Sequence, residues 1–288
     1  MGRMELETFN NDTGEGVVSF EPCRVSGPEY DADPSRWYHH VLVAGERVFE
    51  YGCPCGTCGI VFRKVGSPAH QVSDPEAHTL LGTLESVPSN EVLRRLARVL
   101  EPGSYQPAIV EGKVRLVEPG EPDDYFASDV VRLSGLEPPD YSKPSSPRTS
   151  YYRFGADCEL DRAGRTTGPH KALVTAVIMP LHEPLRLNRE RVEYWLRQLD
   201  IGIPLTAFGV AVIDNQQPAM SPADDSYPYE EHFLFTTCLL DGHHRIQAAA
   251  ESGMPIRVLS LLARKSSLVD GPEDIRKVLH AYSHRAIL

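Results

Sequence analysis

Residues 239–262 read LLDGHHRIQAAAESGMPIRVLSLL, and this stretch decides the fold. The apolar run 233–240 predicts a buried strand, and 256–263 predicts another. Between them lies a helix over 243–252, with Asp241 placed to open it and Ala248, Ala249 and Ala250 keeping it slim enough to lie on a sheet. A strand that turns at once into a helix leaves backbone N–H groups free at the turn. The helix dipole adds partial positive charge there, so an anion is stabilised. Gly242 lets the backbone approach closely, His243 and His244 can donate hydrogen bonds, and Arg245 offers a charged fork matched to phosphate oxygens. Taken singly, Asp241 is a cap, Arg245 a solvated first-turn residue and the histidines incidental. Three donors in a row after a glycine turn favour a phosphate site, because an arginine at a helix N-terminus opposes the dipole unless an anion compensates.

Outward from this stretch, 171–179 (KALVTAVIM) predicts a buried strand, and 205–213 a second one. Residues 188–199 predict a helix with Val192, Trp195, Leu196 and Leu199 on one stripe. A polar loop over 214–231 and a last helix over 272–284 complete the C-terminal half. The alternation of strands and helices predicts an α/β (α+β) class, with helices packed on one mixed sheet.

Residues 136–150 (LEPPDYSKPSSPRTS) carry prolines at 138, 139, 144 and 147, which remove backbone donors and block helix. The expected division is therefore a small α+β domain over 1–135, a linker over 136–150 and the sheet domain over 151–288. In the first part, 37–65 predicts strands with a hairpin turn at Gly45-Glu46. Residues 89–100 predict a helix capped by Ser89 or Asn90 and stopped by Pro102-Gly103, and 113–117 predicts a strand.

Six cysteines occur, and Cys53, Cys55 and Cys58 fall within a glycine-rich knuckle, Cys53-Pro54-Cys55-Gly56-Thr57-Cys58-Gly59. Cys55 and Cys58 have the spacing that presents two thiolates to a tetrahedral Zn²⁺, with Cys53 as a third ligand. A fourth would come from Cys23, His39, His40, His70 or His78. A redox-active thiol pair and inert buried thiols are the competing readings.

The net charge of −11, from 29 basic and 40 acidic residues, argues against duplex DNA as the main partner. No apolar run reaches 18 residues, so no membrane span is expected. The polar, acidic N-terminus lacks the pattern of a signal peptide, and a cytoplasmic protein is expected.

The segment LLDGHHRIQAAAESGMPIRVLSLL, with the strand and helix that precede it, resembles the ParB/sulfiredoxin-like superfamily over roughly residues 170–265. Its Asp-Gly-His-His-Arg sequence, 241–245, is most similar to the free serine kinases of that group. The resemblance implies nucleotide phosphates, from ATP or ADP with Mg²⁺, held by Gly242, His243, His244 and Arg245. It also implies transfer of a phosphoryl group to a small hydroxyl substrate such as L-serine. His182-Glu183 stands where those kinases carry a His-Glu pair. By the resemblance Glu183 is the base, and Asp241 and His244 contact substrate or transition state. A nucleotide-binding switch module without catalysis is the alternative, and a DNA-binding or nuclease protein a third. The reactive cysteine of sulfiredoxins is replaced by Gly242 or His243. The Arg-rich motif and adjoining helix-turn-helix of the partitioning proteins are not evident.

Overall fold

The computed structural model describes residues 8–22, 38–52, 61–67, 72, 88–127, 149–155, 157–161, 171–216, 229–269 and 271–283. It shows an α+β protein with two sheets and, among the described residues, four α-helices. The strands are β1 (Phe9–Asn11), β2 (Val18–Pro22), β3 (Tyr38–Val43), β4 (Glu46–Gly52), β5 (Val61–Lys64), β6 (Gly103–Val117), β7 (Tyr151–Phe154), β8 (Cys158–Asp161), β9 (Lys171–Pro180), β10 (Thr206–Gln216), β11 (Tyr229–Asp241) and β12 (Pro255–Ala263). The helices are α1 (Asn90–Ala97), α2 (Arg189–Asp200), α3 (His243–Ser252) and α4 (Pro272–Ser283).

The larger sheet has the order β1-β6-β12-β10-β11-β9-β7, and β8 also pairs with β9. The pairs β10–β12 and β11–β9 are parallel, and the others are antiparallel. The 15-residue β6 pairs with β12 through 105–113 and with β7 through 114–117. Because β7 also pairs with β9, the six strands β6, β12, β10, β11, β9 and β7 make a continuous hydrogen-bonded ring. The smaller sheet runs β2-β3-β4-β5.

The ring is buried on both faces, which is why KALVTAVIM reads as an unbroken apolar run rather than an alternating one. On β9, Ala172, Val174, Ala176 and Ile178 pack in one cluster with Val192, Leu199, Ile246, Ala248, Ala249 and Val278 of the helices. Val177 and Met179 point the other way, into a second cluster with Val41, Phe49, Tyr51 and Phe62 of the smaller sheet. The larger sheet thus takes β1 and β6 from before residue 136 and β7 to β12 from after residue 150. Strand pairing crosses the expected linker over 136–150: β6, of which 113–117 was expected as a strand of the first domain, is a central strand of the larger sheet.

Three local expectations change. The hairpin between β3 and β4 turns at Ala44-Gly45, both with positive φ, rather than at Gly45-Glu46. The strands around the expected 214–231 loop extend to Gln216 and start at Tyr229, because Asp214, Asn215 and Gln216 continue the ladder opposite Leu234, Phe233 and His232. Asp241 ends β11 and does not cap α3, whose N-cap is Gly242 without a side-chain bond.

Candidate functional site

The parallel strands β9 and β11 end side by side, with Pro180 opposite Leu239. The segments that follow them, 181–183 and 241–245, therefore emerge at the same edge, the usual place for ligands in sheets of parallel strands. A bulge sharpens the exit. Phe208 pairs with Asp241 but Gly209 pairs with Leu239, so Leu240 is the extra residue and the strand end is re-aimed. A side chain at Gly209 would lie 2.4 Å from the Cys238 carbonyl oxygen, so glycine is required where the bulged backbone presses in.

At the turn, Gly242 has φ +93°, and a Cβ there would meet Ala207 Cβ at 2.8 Å and Cα at 2.9 Å. The close approach expected of Gly242 is thus toward strand β10. Asp241 Oδ1 accepts from the Gly242 N–H at 2.6 Å, and Asp241 Oδ2 accepts from Arg245 Nη2 at 2.9 Å. The Arg245 guanidinium lies over the Trp195 ring, 5.5 Å from its centroid. Arg245 is 1% exposed, so it braces the turn from beneath instead of offering an open fork. Burial pushes its pKa down and the Asp241 carboxylate pushes it back up.

The first helical bond of α3 runs from the Ile246 N–H to the Gly242 carbonyl. The N–H groups of His243, His244 and Arg245 thus stand outside the helical ladder. The other helices differ in their first turns: α1 and α2 have side-chain caps from Ser89 and Asn188, and α1, α2 and α4 carry Glu91, Glu190 and the Glu273-Asp274 pair. Helix α3 has neither a side-chain cap nor an acid. The acid nearest its positive end is Asp241, one residue before the N-cap, and that carboxylate is shared between the Gly242 N–H and Arg245.

Around that end lies a cavity of about 260 Å³ lined by Lys64, Ser67, His182, Glu183, Arg186, Asn188 and His244. His243 is buried behind it, its ring 4.7 Å from that of His182, and its Nε2 has no hydrogen-bond partner among the described residues. All three histidines are held below their ordinary pKa, and so neutral near pH 7. Burial is the main cause for each, aided by His182 at His243, by Lys64 at His182 and by Arg191 at His244. Lys64 Nζ donates to the Leu181 carbonyl at 2.6 Å; burial lowers its pKa while Glu183 raises it. Glu183 is exposed at the cavity edge and ion-paired to Arg186, Oε2 to Nε 2.8 Å.

Of the residues singled out in the sequence, Glu183 and His244 therefore line one cavity, His243 stands just behind it, and Asp241, Gly242 and Arg245 form the frame of the turn. His182, the neighbour of Glu183 in the His-Glu pair, is part of the same cavity wall. Lys64 and Arg186 were missed. Lys64 arrives from the smaller sheet, and no sequence signal links it to a turn so distant in the chain. Cys53, Cys55 and Cys58 lie outside the described residues. Among the described residues no group of three His, Cys, Asp or Glu is placed to hold a metal ion. No described helix is long and apolar enough to cross a membrane. Comparison with family models, curated proteins and solved structures gives no match.

Proposed function

We propose that the protein is a nucleotide-dependent phosphotransferase of the ParB/sulfiredoxin-like type, acting on the hydroxyl of a small molecule such as a free amino acid. One observation carries this reading: Glu183 after β9, Lys64 from β5 and His244 in the first turn of α3 line one cavity. Phosphoryl transfer asks for little covalent help from the protein, and mainly for positioning and charge stabilisation. The terminal phosphate would sit against the N–H groups of His243 and His244, with Lys64 and the side chain of His244 donating to its oxygens. Asp241 and Arg245 act as positioning residues that hold the turn.

In the reaction the acceptor oxygen forms a bond to the terminal phosphorus, and the bond from phosphorus to the bridging oxygen of the nucleotide breaks. The acceptor proton passes to Glu183, and the shortened nucleotide leaves with the electron pair. Glu183 must exchange its bond to Arg186 for the acceptor hydroxyl, a short swing for an exposed side chain. Mg²⁺ takes most of its ligands from phosphate and water, and with Glu183 engaged as the base it would be held by the nucleotide phosphates. Bound there, it would neutralise charge on the phosphates. Cys53, Cys55 and Cys58 remain candidates for a structural Zn²⁺ site.

The test is incubation of the full chain with ATP or ADP, Mg²⁺ and hydroxylated acceptors, with mass spectrometry for the phosphorylated product. Glu183→Gln is expected to abolish transfer while leaving nucleotide affinity near the wild-type value. Tight nucleotide binding without transfer to any acceptor would replace the kinase by a nucleotide-gated binding module. The Glu183–Arg186 ion pair favours that second reading, since it occupies the proposed base.

A further inference from the structure

The segment that carries Glu183 also carries a cation. Glu183 opens a single 3₁₀ turn, Pro184–Arg186, closed by a bond from the Arg186 N–H to the Glu183 carbonyl at 3.0 Å. Pro184 is buried and its ring fixes the first φ of the turn, while the Leu187 N–H returns to the Pro184 carbonyl at 3.3 Å. The backbone from Glu183 to Arg186 is therefore held, and the freedom left is that of the side chains. Residues three apart eclipse in a 3₁₀ turn, which brings Arg186 Nε to 2.8 Å from Glu183 Oε2.

Both side chains line the cavity at the start of α3, where Lys64 is the other cation. The two cations are tied differently. Lys64 is half-buried and bonded to the Leu181 carbonyl at 2.6 Å. Arg186 has 80% of its side chain exposed and Glu183 50%, and an ion pair this open to water holds weakly. A phosphate in the cavity offers the guanidinium several charged oxygens in place of one carboxylate. Its geometry also matches the planar fork through two parallel bonds. Arg186 can therefore change partners by side-chain rotation alone, at small cost and with a stronger bond gained.

We infer that Arg186 is a phosphate-sensing latch: the terminal phosphate of the nucleotide takes its guanidinium from Glu183, and the carboxylate is thereby released to the acceptor hydroxyl. Binding is then ordered, nucleotide before acceptor, because an acceptor that arrives first finds Glu183 engaged. Arg186 is in this way both a phosphate ligand and the group that times the base. The inference rests on the phosphotransferase reading for what the released carboxylate does, whereas the exchange of partners stands apart from it.

The experiment uses the full chain, a non-hydrolysable ATP analogue with Mg²⁺, and the NMR resonance of the Arg186 Nε–H, identified by its loss in Arg186→Gln. Before the analogue is added, the resonance is expected at different positions in the wild type and in Glu183→Gln, since only the wild type sets a carboxylate beside it. At saturation both should reach one shared position, because the phosphate is then the partner in each. By calorimetry Arg186→Gln should bind the analogue about tenfold to a hundredfold more weakly, the range of a hydrogen bond between charged groups, and Arg186→Lys should keep part of the affinity. Urea midpoints should stay at the wild-type value in both, as expected for an exposed side chain. Saturated positions that still differ, a wild-type resonance that does not move, or an undiminished affinity in Arg186→Gln would each overturn the inference. Exchange of partners without transfer to any acceptor would uphold it and overturn the kinase instead. Transfer with Arg186 still on Glu183 would uphold the kinase and overturn the latch, and absence of nucleotide binding would overturn both.

Discussion

Arg245 donates through Nη2 to Asp241 Oδ2 at 2.9 Å beneath the 241–245 turn, with side-chain exposures of 2% and 11%. The same carboxylate holds the Gly242 N–H, so one acid ties the strand end, the turn and the first helical turn together. A charge buried this deeply is costly without its partner. Asp241→Ala is expected to destabilise the fold by about 3–5 kcal/mol, since it strands the Arg245 guanidinium. Adding Arg245→Met should recover part of that loss, because the stranded charge is then gone. Urea denaturation of the two single variants and the double variant measures the coupling; strictly additive losses would refute the brace.

Gly242 supports a second prediction. Its φ of +93° disfavours any side chain, and a Cβ would also sit 2.8 Å from the Ala207 Cβ. Gly242→Ala should cost at least about 1–2 kcal/mol for the backbone, with the steric contact added to it. Ala207→Gly in the same chain can relieve the Cβ contact but not the φ. The double variant should therefore recover only part of the loss in melting temperature. Full recovery would mean the conformation at residue 242 costs nothing.

What the sequence made legible was local. The extents of α3, β12 and α2 and the start of α1 follow from apolar spacing, the Asn188 and Ser89 caps and the Gly253 stop, all written within a few neighbouring residues, whereas α1 ends at Ala97, short of the stop expected at Pro102-Gly103. Pairing between residues far apart in the chain leaves no such trace. The position of β6 between β12 and β7 is set by partners such as Arg257 for Glu111 and Tyr152 for Leu116, and nothing in 103–117 names them. Charge was misread for a related reason. Arg245 looked like an exposed fork because arginine usually is one, whereas Asp241 and Trp195 make its burial tolerable. The His182-Glu183 pair could be found only as a motif, and Lys64 not at all.

Lys64 lines the cavity at the start of α3 together with Glu183, and its ammonium is a cation that the smaller sheet brings there. Lys64→Met retains much of the stem while deleting the charge. Nucleotide affinity is expected to fall about tenfold or more, the scale of one hydrogen bond to a charged group. The wild-type affinity should weaken with added salt, and that dependence should be shallower in the variant. Calorimetric titration with ATP at two ionic strengths decides it. An unchanged affinity would move the phosphate away from this cavity.

The buried histidines set a pH dependence whose sign can be worked out. His232 is 3% exposed, bonded through Nε2 to Thr175 Oγ1 at 3.1 Å, and burial pushes its pKa down to about 3. His243 is also held well below its ordinary value, by burial first and then by His182. In the unfolded chain both return to about 6.5. Between their folded and unfolded values the unfolded chain binds protons that the native fold refuses. Stability is therefore lost on acidification below about pH 6.5, by up to ~1.4 kcal/mol per pH unit for each histidine. Asp214 acts in the opposite direction. Burial raises its carboxyl well above the usual range, and its Oδ2 has no hydrogen-bond partner among the described residues. Its contribution is complete below the unfolded carboxyl value of about 3.9 and is lost as the pH rises above it. Asp214→Asn removes that opposing slope. The variant should be more stable than wild type at pH 7 and should lose stability more steeply between pH 6.5 and 5, while His232→Gln should flatten the wild-type slope. Urea midpoints across that interval test both, and parallel curves for all three proteins would show that neither group is held as its burial requires.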